Sequence, residues 1–191
     1  MSSSDSPTGD HAGTDPIDAT REWVDKAVIG LNLCPFAKAV QIKGQVRYVL
    51  SEAGDTNALL AELEQELQHL AAADPEQTDT TLIVHPRVLN DFLDFNDFLE
   101  EADALLERLD LDGTLQVASF HPQFQFAGTD PDDITNYTNR SPHPTLHLLR
   151  EESIDRAVEA FPDAEAIYER NMETLQRLGL DGWEALFASN R

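Results

Sequence analysis

Two apolar stretches that end in the same dipeptide restrict this chain more than any other feature. Thr80-Thr81-Leu82-Ile83-Val84 runs into His85-Pro86, and Thr114 to Phe120 runs into His121-Pro122. Both read as short strands stopped where proline cannot donate to a ladder. Between them Phe92, Phe95, Phe98, Leu99, Ala102, Leu105, Leu106 and Leu109 recur at helical spacing, predicting a helix from about Asn90 to Leu109 with Gly113 just past its end. The same unit precedes it. Gln45 to Leu50 alternates like a strand, and Leu59, Leu60, Leu63, Leu67 and Leu70 form the apolar stripe of a helix over Thr56 to Ala72.

Strand, helix, strand, helix, strand requires crossover connections. The expected fold is therefore α/β, with α+β still open: a mixed or largely parallel sheet of about four strands with helices packed on it, the fourth strand being Thr145 to Arg150. If the two His-Pro strands are parallel neighbours, His85 and His121 emerge together at the carboxyl edge, where open α/β folds bind ligands. A first helix is expected from Asp18, with Asp18 or Thr20 as cap and Trp23, Ala27, Val28 and Leu31 on one face, ending at Leu33-Cys34-Pro35-Phe36. Toward the end, Ser153 is placed to cap a short helix, Pro162 to open another that stops near Gly179, and Asp181 to cap a last turn.

Residues 1–17, His11 among them, hold little that could offset chain entropy, so they read as a disordered acidic tail before one globular domain over residues 18–191. That span suits one domain with a sizeable core.

Charge narrows the possible partners. The 191 residues carry 36 Asp and Glu against 13 Lys and Arg, a net −23, and only Lys26, Lys38 and Lys43 are lysines. Such a surface opposes nonspecific nucleic-acid binding, which needs clustered cations. No apolar run is long enough to span a bilayer, and the first residues lack a basic and an apolar region of the secretory kind. The lone Cys34 fits a reducing cytoplasm. Carboxylates dispersed along the chain with so few lysines match a halophilic surface better than a discrete patch for a basic partner. Stability to urea should accordingly rise from low to molar salt; a fall over that range would contradict the halophilic reading.

Against this background Asn136 to Pro144, followed by His147 and Arg150, forms the densest polar stretch. It lies in and beside Gln123 to Pro144, a loop long enough to suggest function. Arg140 offers a planar fork to an anion, helped by Arg150, while Asn139 and Ser141 can donate or accept. His121 and His147 are candidate general acids or bases. Cys34 is a candidate nucleophile if a histidine lies near it, and otherwise a small hydrophobe. His143 and His147 share a face on either a helix or a strand, so their spacing does not establish a zinc pair.

Three strings carry a family resemblance: Gly30-Leu31-Asn32-Leu33-Cys34-Pro35-Phe36-Ala37, Ala118-Ser119-Phe120-His121-Pro122-Gln123-Phe124-Gln125-Phe126, and Asn136 through Glu151. Together they resemble the bacterial family called domain of unknown function 1415, over nearly everything after the tail. The family brings no established activity. The resemblance singles out Cys34, the His121 segment and the stretch from Asn139 to Arg150. His143 stands where the family pattern has an aromatic, which makes it a poorer family-wide catalytic residue than His147 or Arg140.

Three functions compete on these residues. The first is an enzyme acting on an anionic small metabolite, with Arg140, Arg150, Asn139 and Ser141 as ligands, His121 or His147 as acid or base, and Cys34 as nucleophile. The second is a noncatalytic small-ligand or protein-binding module using Phe124, Phe126 and Tyr137. The third is a metal site of Cys34, His121 and His147. Neither a cofactor nor a protein partner can be named from the sequence.

Overall fold

Five consecutive buried residues, Thr80–Val84, form the centre of the sheet in the computed structural model, which describes residues 14–161 and 163–188. A strand buried on both faces needs partners on both edges and layers above and below. This one has them. β1 (Val46–Leu50) pairs with it in parallel, from Val46 opposite Thr80 to Leu50 opposite Val84. β4 (Thr145–Arg150) pairs with the other edge of β2 (Thr80–Val84) antiparallel, with Leu82 opposite His147. β3 (Leu115–Phe120) closes the sheet against β4, giving the order β1-β2-β4-β3.

The sheet is mixed, and β2 and β3 run the same way without being neighbours, because β4 lies between them. His85 and His121 therefore leave the same edge one strand apart. Both crossovers step across the sheet in one direction, so the right-handed rule sends both helices to one face. These are α3 (Thr56–Ala72) and α4 (Phe92–Arg108). Asp55 caps α3 by accepting from Ala58 N at 2.8 Å, and Asp91 caps α4 by accepting from Leu93 N at 2.9 Å. Leu59, Leu63, Leu67 and Leu70 of α3 pack with Phe95, Phe98 and Leu105 of α4 on Ile83, Leu146 and Leu148. Full burial of each leucine contributes about 2 kcal/mol.

The opposite face receives the two ends of the chain. α1 (Pro16–Trp23) is capped by Asp15, which accepts from Ile17 N at 2.8 Å, so the helix starts before the expected Asp18. Thr20 bonds back to Pro16 O rather than capping. The helix then widens into a π turn over Val24–Ile29, which ends in the loop carrying Cys34. α2 (Ala37–Ile42), not anticipated from the sequence, follows that loop. After β4 come α5 (Glu151–Ala160) and α6 (Ala164–Phe187).

α6 breaks at Gly179, near where a helix end was expected, and its φ of 67° is one that glycine adopts without a side-chain clash. Ser153 lies inside α5 rather than at its cap, since the helix begins directly after Arg150. Trp23, Leu33, Leu82, Leu175 and Trp183 form the second core. The polar stretch 123–144 contains a short 3-10 helix, Ile134–Asn139, packed against α6. Of the expected tail, residues 1–13 lie outside the described residues, as does the helix-opening role given to Pro162.

Candidate functional site

Strand alternation divides the sheet's side chains between two environments. Ile83, Leu115, Val117, Leu146 and Leu148 face α3 and α4, whereas Val46, Leu82, Ala118, Phe120, His147 and Leu149 form the floor of a cavity of about 460 Å3 on the other side. Its walls come from Trp23, Val24 and Val28, from Leu33, Cys34, Phe36, Ala37 and Val40, and from Ser153, Ile154 and Val158 of α5. The surround is mainly apolar.

His147 is the polar centre of that floor. Thr80 Oγ1 has one proton and donates it to Leu148 O at 2.6 Å, so its oxygen accepts Nε2–H from His147 at 2.8 Å. This fixes the tautomer and leaves Nδ1 as an unprotonated acceptor with no partner among the described residues. The ring is enclosed by protein, and the surface it keeps is cavity wall. Burial pushes its pKa down to about 4, so it is neutral near pH 7. Phe120 lies beside it with ring centroids 5.7 Å apart.

Two more of the expected residues reach this cavity. Cys34 contributes a half-buried thiol to the wall. Asn139 lines it as well, donating from Nδ2 to Ser119 O at 3.3 Å, while its backbone carbonyl accepts from His121 N at 3.1 Å. His147, Cys34 and Asn139 are the sequence candidates that the fold brings together.

The remaining candidates lie elsewhere. His121 follows Phe120 and so turns to the other face, where it packs on Phe92 at 5.5 Å and Phe95 at 5.1 Å. Its Nε2–H donates to Leu89 O at 3.1 Å and its Nδ1 accepts from Gln123 N at 3.0 Å. Both ring nitrogens are thereby engaged. Burial lowers its pKa, and that of His85 falls to about 4 for the same cause. His85 donates from Nδ1 to Val88 O at 3.0 Å and buries Nε2 without a partner among the described residues.

Arg140 donates from Nε to Phe124 O at 3.0 Å and from Nη2 to Pro131 O at 2.5 Å, and lies 4.7 Å over the Tyr137 ring. Ser141 donates to His143 O at 2.6 Å, which also accepts from Thr145. His143 itself sits half-buried near the loop's end. Arg150 is buried against the C-terminal end of α3, donating from Nη2 to Leu70 O, Ala73 O and Thr78 O at 2.8, 3.0 and 2.9 Å. Arg140, Ser141 and Arg150 thus brace backbone turns rather than converging on His147.

The expected metal set is not assembled, because the sheet separates His121 from His147. Among the described residues no group of three or more His, Cys, Asp or Glu could hold a metal ion. No helix among them is long and apolar enough to cross a membrane.

Phe120, Asp79 and Ser153 line the cavity and Thr80 holds His147, and none of the four was a site candidate from the sequence. Thr80 and His147 are 67 residues apart, and no local signal joins them. For α2 there was a signal: Ala37 and Val40 at helical spacing, two residues and five residues after Pro35.

No curated protein and no solved structure matches this chain significantly. A family model does match, over residues 15–185, and its family is described as a protein of unknown function, DUF1415. That span covers all the elements above apart from the last residues of α6, so the chain belongs to the DUF1415 family.

Proposed function

We propose that the chain binds a small, mainly apolar molecule in the cavity over β4, with a polar group of that molecule donating to His147 Nδ1. One observation carries this reading: an unprotonated imidazole nitrogen without a partner among the described residues, in the floor of a mainly apolar cavity of about 460 Å3. Sites of this size and lining suit small ligands. An unpaired acceptor in such surroundings costs about 1–3 kcal/mol, which a ligand donor recovers.

A pKa of about 4 makes His147 a weak base near pH 7, so recognition fits it better than proton transfer. The expected anionic metabolite fits poorly, since no Lys or Arg is among the described residues that line the cavity. A catalytic version of the proposal rests on Cys34, whose thiol faces the same bound molecule.

Thermal melting with hexanol as probe tests the site. Hexanol should raise the melting temperature of the wild type, and His147→Phe should weaken its binding roughly tenfold. Ala118→Leu, which fills the floor, should abolish the effect while the protein stays folded. Equal stabilisation of all three proteins would contradict the proposal.

A further inference from the structure

The cavity wall is one-sided in charge. Among the described residues that line it, Asp79 is the one carboxyl side chain and there is no Lys or Arg. Asp79 Oδ1 accepts from the Ser153 hydroxyl of α5 at 2.6 Å, and no bond to its second oxygen is present among the described residues. A cation stands on the other side of Ser153. Arg156 donates to Ser153 Oγ at 3.1 Å, but its side chain is 58% exposed and its other nitrogen lies 3.8 Å from Glu152. Glu152 is thus the carboxylate that the guanidinium approaches, and Asp79 is joined to it only through the Ser153 hydroxyl.

Asp79 is also the chain neighbour of Thr80, the residue that holds His147. The carboxylate and the imidazole acceptor thus line the same cavity, together with the apolar side chains of Val28, Phe36 and Val40. Both polar groups accept, and neither has a donor to spare. An anion placed there meets a carboxylate with no cation in the lining. An alcohol supplies a single donor. An ammonium group brings three donors and a charge of the complementary sign.

We propose that this cavity takes a small protonated amine, its ammonium held by Asp79 next to His147 and its apolar body lying along Phe120 and the wall of α2. The inference rests on the small-molecule reading above and names the class of ligand for that site. It also agrees with the net charge of −23, which draws cations toward the surface at low ionic strength.

Titration calorimetry with three probes of equal length, hexylamine, hexanol and hexanoate, tests it at neutral pH and low salt. Hexylamine should bind roughly tenfold more tightly than hexanol, and hexanoate more weakly than either. Asp79→Asn keeps the acceptor for Ser153 and should reduce the amine's advantage to about twofold or less. Arg156→Gln removes the competing cation and should tighten hexylamine binding severalfold. An amine no tighter than the alcohol, or an advantage that survives Asp79→Asn, overturns the inference and leaves the small-molecule site standing. Failure of all three probes to bind overturns both.

Discussion

Taking the protein from about pH 7 to about pH 5 at fixed salt should remove on the order of 4 kcal/mol of folding stability. His85 and His147 both have pKa values pushed down to about 4 from 6.5 by burial. A histidine held neutral in the fold binds its proton more readily once unfolded. Its contribution is therefore fully present above the unfolded pKa and is lost as pH falls from about 6.5 through about 4. Each of the two loses about 2 kcal/mol by pH 5, and His121, also lowered, moves in the same direction. Urea unfolding across the range measures the loss. His85→Gln and His147→Gln should each remove about half of the drop. A stability that stays flat between pH 7 and pH 5 would contradict the buried, neutral assignment.

Replacing Arg150 should be the most damaging single substitution outside the leucine core. Arg150→Met is expected to cost about 3–5 kcal/mol, because it strips the carbonyls of Leu70, Ala73 and Thr78 of their charged donor where α3 ends. All three bonds come from one nitrogen, Nη2. A lysine ammonium also presents its donors from one atom, so Arg150→Lys should recover a measurable part of the loss. Denaturation midpoints of the three proteins decide this. A loss below about 1 kcal/mol for Arg150→Met would mean that water replaces the guanidinium freely.

The history of Arg150 shows where local pattern stops being informative. Read along the chain, Arg140, Ser141 and Arg150 stood out as cations and donors within one polar stretch of a very acidic protein. In the fold, these donors are taken by backbone carbonyls, some of them far away in sequence: Leu70 is 80 residues from Arg150. A residue type states what a side chain can donate, and only the fold states to whom. Elements governed by nearest neighbours were legible. The leucine spacing marks α3 at the observed bounds Thr56–Ala72, and strands β2 and β4 lie where their apolar runs put them.

Pairing between strands was less legible. Nothing in Thr145–Arg150 announces that it enters between β2 and β3, and that insertion puts His147 against Thr80 and sends it to the face away from His121. Of the candidate site, His147, Cys34 and Asn139 were named from the sequence and meet in one cavity. Asp79 was hidden among 36 acidic residues, because its distinction is positional: it is half-buried and lines the cavity.

The central claim is that His147 Nδ1 is the vacant acceptor of a ligand cavity. Nitrogen-15 NMR of the imidazole rings tests it most directly, with hexanol as the added probe. In the free protein, His147 should be neutral, with Nε2 protonated and Nδ1 bare. Saturating hexanol should then move the Nδ1 resonance upfield, as expected for a newly accepted hydrogen bond, while Nε2, held by Thr80, and both nitrogens of His121 stay in place. A His147 Nδ1 that carries the proton in the free protein, or that does not respond to bound hexanol, would contradict the account.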